Sequence, residues 1–199
     1  MAKDSPLIKS SKEIILLLLY AKGRTNQLYE SIKGKTRLMK MVFLFKEELK
    51  KSFNKGSFIN VNTLPVFTAY DFGPFSYEVY SDLDFLKTNE FIQIKELKEE
   101  LVIPEEVYEY NYWISEGNIK IDEDTYTSEE YTLTDLGKEF TKTRLIDKLG
   151  DEQILILNEF KKRCTEISLR TLLKYVYNNY PKMITESKIR EEVLKDYIN

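Results

Sequence analysis

Apolar residues recur at helical spacing near both ends of the chain and fall into short alternating runs in its middle. Ser10-x-x-Glu13 has the form of a capping box, and the apolar run from Ile14 to Tyr20 follows at once, which predicts a first helix over residues 12–22. Residues 23–34 read as a polar connection. A second helix is expected over residues 35–51, with Leu38, Met41, Val42, Phe45 and Leu49 on one face. Residues 65–70 read as a short extended segment. In Tyr70-Asp71-Phe72-Gly73-Pro74-Phe75-Ser76, Gly73 permits a backbone turn closed to other residues and Pro74 suits the first position of a helix. A third helix is therefore expected over residues 74–87, with Phe75, Val79, Leu83 and Leu86 inward.

Strands are expected at residues 91–94, 101–103 and 131–133, and the alternating Tyr108, Tyr110 and Tyr112 suit one more. Thr134-Asp135 begins another helix that ends at Gly150, and Asp151 begins the next. Ser168 caps a helix carrying Leu169, Leu172, Leu173, Val176, Tyr177 and Tyr180 on one face, and Pro181 stops it. A short helix closes the chain after Glu186. Three helices followed by a small antiparallel sheet is the winged helix-turn-helix order. The expected fold is α+β and mostly helical, with a winged-helix-like core at residues 1–149, an insertion at 104–130 and a C-terminal helical extension at 150–199.

Composition narrows the chemistry. The chain has 199 residues, 42% of them hydrophobic, enough for a packed core. Histidine is absent, which removes imidazole metal sites and every catalytic system that needs a histidine base. The one cysteine, Cys164, forms no intrachain disulfide and points to a reducing, cytoplasmic setting, with the thiol expected as a small buried group on a helix. The apolar run after Glu13 is far shorter than the roughly 20 residues a membrane span needs, so no membrane association is expected. Phe43, Phe45, Phe67, Phe72, Phe75, Phe85 and Phe91 are expected in the core.

Net charge is −3, yet its distribution is uneven. Residues 1–55 hold 13 Lys and Arg against 5 Asp and Glu, whereas residues 71–135 hold 4 against 18. The plain reading is two faces that attract each other within the fold. The sharper reading offers each face to an outside partner. Lys33, Lys35, Arg37 and Lys40 form the candidate contact to nucleic-acid phosphate. The expected third helix opposes reading of a DNA groove, because Glu78, Asp82 and Asp84 outnumber Lys87.

Tyr108, Tyr110, Tyr112, Trp113 and Tyr126 lie among carboxylates in the insertion, a composition suited to docking on a basic protein. The only catalytic arrangement available would hold a divalent ion on Asp82 or Asp84, with Gln93 and Lys95 on the following strand, and glutamine is a poor substitute for a carboxylate there. No nucleotide-binding glycine pattern occurs. The chain therefore reads as a binding protein, not an enzyme, with no cofactor or metal and with a homodimer through the apolar stripe of residues 169–180 as a further expectation.

Three motifs, taken in order, resemble a known group. Lys35-Thr36-Arg37-Leu38-Met39-Lys40-Met41-Val42-Phe43-Leu44, then Asp71-Phe72-Gly73-Pro74-Phe75-Ser76, then Tyr131-Thr132-Leu133-Thr134-Asp135-Leu136-Gly137 resemble winged-helix-like prokaryotic proteins related to the Panacea (SocA-like) antitoxin domain. The likeness spans about residues 10–145, and the C-terminal part departs from it. The resemblance implies a non-enzymatic regulatory or toxin-neutralising protein, often associated with phage or plasmid defence, and the acidic aromatic insertion suits a basic protein such as a toxin as its partner. The alternative is a DNA-binding transcriptional regulator of winged-helix type.

Overall fold

The computed structural model describes residues 6–55, 58–100 and 125–195. In chain order the elements are α1 (Ser11–Tyr20), β1 (Ile32–Lys33), α2 (Lys35–Leu44), α3 (Lys50–Lys55), α4 (Tyr77–Thr88), β2 (Ile92–Glu100), β3 (Thr125–Leu133), α5 (Asp135–Arg144), α6 (Asp151–Glu166), α7 (Leu169–Asn179) and α8 (Arg190–Leu194). The fold is α+β, helices around a small antiparallel sheet, as the sequence pattern predicts.

α1 is the centre. Ser10 and Glu13 form the expected capping box, and every residue from Ile14 to Tyr20 is buried. A helix that is apolar on all sides must be surrounded, and α1 packs against α2, α4, α5, α6 and β3. Its C-terminal carbonyls are met by a buried cation from α6. The Lys161 ammonium, on a residue with 0% exposure, donates to the carbonyls of Ala21 at 2.7 Å, Leu19 at 3.4 Å and Glu30 at 2.5 Å. Burial pushes that ammonium down to about 7, with the Glu30 charge acting in the opposite direction.

The expected second helix continues from α2 into α3 through a π turn at Phe45–Leu49. The wider turn keeps Phe45, Leu49 and Phe53 buried in series while it turns Glu47 and Glu48 outward. Glu48 then accepts from Tyr175 at 3.0 Å and Tyr180 at 3.5 Å, which ties the π turn to α7 and the residue that follows it.

β2 and β3 pair along their whole length, from Ile92 opposite Leu133 to Glu100 opposite Thr125. β1 adds to the other side of β3, Ile32 opposite Tyr131, giving the order β1-β3-β2. β1 lies inside the stretch expected to be an irregular connection. Two residues are too few to show alternation, and tertiary pairing alone makes them a strand. The expected strand at 101–103 lies outside the described residues.

At the β3–α5 junction Thr134 caps α5 by accepting from the Gly137 amide at 3.0 Å. Gly137 sits so close to the residue before β2 that a Cβ would come 1.9 Å from the Phe91 carbonyl oxygen. The third motif is thus a packing device, since only glycine lets the helix approach the backbone ahead of β2 this far.

The C-terminal helices share the core of the rest. α6 packs on α1 and α7 on α2. Leu169, Leu172, Leu173, Val176 and Tyr177 are all buried within this chain, so the stripe expected to carry a homodimer is already covered by the protein's own helices. Cys164 is buried on α6 as expected, and burial pushes its thiol up to about 12. Among the described residues no helix is long and apolar enough to cross a membrane.

Candidate functional site

The first and second motifs meet at a shallow cleft. Lys35, Thr36, Met39 and Lys40 line it from α2, and Tyr70, Phe72, Gly73, Phe75 and Tyr80 line it from the turn and α4. Counting its open mouth it encloses about 290 Å³, below the roughly 300–1,000 Å³ of a pocket that engulfs a small molecule. The turn itself is rigidly held. Thr68 and Phe75 exchange two backbone hydrogen bonds of 2.9 Å, and the Gly73 amide closes on the Tyr70 carbonyl at 2.9 Å. Gly73 has φ 82°, and a Cβ there would lie 3.0 Å from the Tyr177 ring. Lys188 holds Asp71 through both its backbone amide (2.9 Å) and its ammonium (2.5 Å).

These ties shift the start of the third helix. Phe75 stays extended because it bridges Thr68, so α4 begins at Tyr77 and not at Pro74. Phe75 becomes the hub of an aromatic cluster, with ring centroids 4.8 Å from Tyr70, 4.8 Å from Tyr77 and 5.1 Å from Tyr80. Tyr70 is 42% exposed and Tyr77 72%. A hydrogen bond with Tyr77 pushes the Tyr70 phenol up, and the neighbouring Asp71 charge adds to the shift.

α4 continues this surface. Val79, Leu83 and Leu86 face the core as the pattern predicts. The opposite face carries Tyr77, Ser81, Asp84 and Phe85, all exposed. Phe85, expected in the core, is 48% exposed, and Phe75 and Phe91 are only half-buried. Asp82 is not available to hold an ion: it accepts from Ser11 at 2.5 Å and from the Lys12 ammonium at 3.0 Å. Asp84 is exposed, as are Gln93 and Lys95 on β2. Among the described residues no group of three or more side chains could hold a metal ion.

The expected phosphate-binding patch is taken apart by the structure. Lys40 is 3% exposed and donates to the Pro74 carbonyl at 3.0 Å. Arg37 donates to the carbonyls of Cys164 at 2.6 Å and Ile167 at 2.9 Å, at the C-terminal end of α6. Lys35 pairs with Glu129 at 3.5 Å and lies 5.0 Å from the Tyr80 ring centre. Lys33 is exposed on β1, opposite Glu130. A helix-spaced run of cations reads as one basic face, but buried carbonyls need donors and draw two of the four inward.

Tyr108, Tyr110, Tyr112 and Trp113 of the expected docking surface lie outside the described residues, and Tyr126 is placed on β3 opposite Glu99. Sequence reasoning missed Tyr77 and Phe85 as surface groups. The signal was present: eight residues apart, they fall on the side of α4 away from Val79, Leu83 and Leu86. No family model matches the sequence, and no curated protein or solved structure matches the chain.

Proposed function

We propose that this chain is a non-enzymatic regulatory protein, antitoxin-like in character and winged-helix-like in its core, that binds a basic protein partner. The observation that supports this reading is the aromatic cluster in which exposed Tyr70 and Tyr77 pack on half-buried Phe75 at the head of an acidic helix. Large rings held rigidly at a surface supply contact area at little entropic cost, and nearby carboxylates steer a cationic partner. A core of this order would present α4 to DNA, but Glu78, Asp82 and Asp84 there repel phosphate. Arg37 and Lys40, the cations best placed by sequence for DNA, serve internal carbonyls.

The test is capture from the native host on the immobilised chain, with nuclease treatment, beside a Tyr70→Ala/Tyr77→Ala variant. The expected result is one identified basic protein that survives nuclease and is lost with the variant. Recovery of nucleic acid alone, released by salt, would replace this reading with the DNA-binding regulator.

A further inference from the structure

The face of α4 already shows, within this chain, how it takes a cation. The Lys12 ammonium sits 3.0 Å from the Asp82 carboxylate and 4.9 Å from the centre of the Phe85 ring. Lys35 repeats the arrangement beside the same helix, 3.5 Å from Glu129 and 5.0 Å from the Tyr80 ring centre. A carboxylate and a ring together hold an ammonium better than either alone, because the ring supplies a negative quadrupole face and contact area for the lysine stem.

Further along the exposed side, Tyr77 and Glu78 stand together at one end and Asp84 and Phe85 at the other. The two rings are eight residues apart, about 12 Å along the helix at 1.5 Å per residue. Between them lies Ser81, too small to obstruct a partner. No lysine or arginine occurs on α4 before Lys87. This is a strip with an aromatic anchor at each end and negative charge beside both.

We propose that the outward face of α4 is the docking surface for a cationic protein segment, one that sets two apolar side chains about 12 Å apart on Tyr77 and Phe85 and places Lys or Arg beside Glu78 and Asp84. The inference rests on the partner-binding reading above and extends it from the Tyr70–Phe75 turn along the whole helix. Charge complementarity selects the occupant. A nucleic acid would bring phosphates to carboxylates, and a second copy of this chain would bring the same acidic helix to itself.

The test uses the full chain and a fluorescently labelled amphipathic lysine–leucine peptide of 18 residues, with a glutamate–leucine peptide and a duplex DNA as comparison probes. Binding is followed by anisotropy. The expected result is binding of the lysine–leucine peptide alone, weakened at least about tenfold by Tyr77→Ala with Phe85→Ala and also by Asp84→Lys. Glu152→Lys, the same charge change on exposed α6, leaves it unaltered. Thermal unfolding of each variant checks that the exposed substitutions leave the fold intact.

Equal loss from Asp84→Lys and Glu152→Lys, or full binding by the double alanine variant, overturns the α4 surface while leaving a cation-binding protein. Failure to bind the lysine–leucine peptide at all overturns the basic partner as well. Binding of the duplex, or concentration-dependent dimers abolished by Phe85→Ala, assigns the face to another occupant and also overturns the proposal.

Discussion

The ammonium of Lys40 and the carbonyl of Pro74 lie 3.0 Å apart in a buried site, and this bond helps join the two sequence motifs that flank the aromatic cleft. α2 supplies the cation and the turn before α4 supplies the acceptor. The cleft, the extended setting of Phe75 and the late start of α4 all depend on where this turn sits.

Replacing Lys40 by methionine keeps the stem and removes the donor. The Pro74 carbonyl is then buried without that partner, which costs about 1–3 kcal/mol. Urea denaturation reads the loss as a lower midpoint with an unchanged slope. A variant within about 0.5 kcal/mol of the wild type, the range of ordinary surface substitutions, would show that the bond contributes nothing and that Lys40 serves some other purpose.

Gly137→Ala tests the closing motif. A Cβ at this position meets the Phe91 carbonyl oxygen at 1.9 Å, and that atom is backbone just ahead of β2, already held by the Thr134 amide at 3.1 Å. The cost is expected at about 3 kcal/mol or more, among the large effects of single substitutions. Gly150→Ala is the control, because its Cβ meets only the end of the Gln153 side chain at 2.7 Å. A thermal melt in which both variants fall equally would remove the close-packing explanation.

Periodicity made the helices legible because α4 and α7 bury the faces that their own sequences mark, and α1 is marked by its capping box and unbroken apolar run. Val79, Leu83 and Leu86 are buried as the pattern requires, and Ser10, Thr134 and Ser168 cap as their positions predict. The two-residue β1 was not legible, since only its pairing with Tyr131 and Glu130 makes it a strand. The fate of the basic residues was also hidden. Arg37, Lys40 and Lys161 serve carbonyls that lie 34 to 142 positions away, and no local pattern records such a partner. The candidate surface was half legible, its aromatics visible but Phe85 assigned to the core because phenylalanine is so often buried.

Lys161 makes stability depend on pH. Its folded value is lowered from 10.5 to about 7, so between these limits the unfolded chain binds more protons than the folded one. Stability from this group therefore rises with pH across that window, and below it the full cost of a buried charge is present. Comparison with Lys161→Met isolates the effect from other titrations. The wild type should gain roughly 2 kcal/mol relative to the variant between pH 7 and pH 9, at about 1.4 kcal/mol per unit. Parallel curves for the two proteins would mean that the carbonyls of Leu19, Ala21 and Glu30 hold the ammonium charged throughout.

Arg37 separates the two functional readings through stability as well as binding. Its guanidinium meets two carbonyls at the end of α6, Cys164 at 2.6 Å and Ile167 at 2.9 Å, which joins α2 to α6. Hydrogen bonds from a charged donor are worth about 1.5–3 kcal/mol, so Arg37→Ala should destabilise by about that amount, while Lys95→Ala on the exposed side of β2 should cost under about 0.5 kcal/mol. A phosphate-binding arginine behaves differently: its loss leaves the fold untouched and lowers the salt dependence of DNA binding by about one ion. Paired melts and salt titrations on duplex DNA thus read out opposite signatures. A stable Arg37→Ala protein with a reduced salt slope would return this residue to the DNA-facing role, and a destabilised protein with no DNA affinity to lose keeps it where the carbonyls place it.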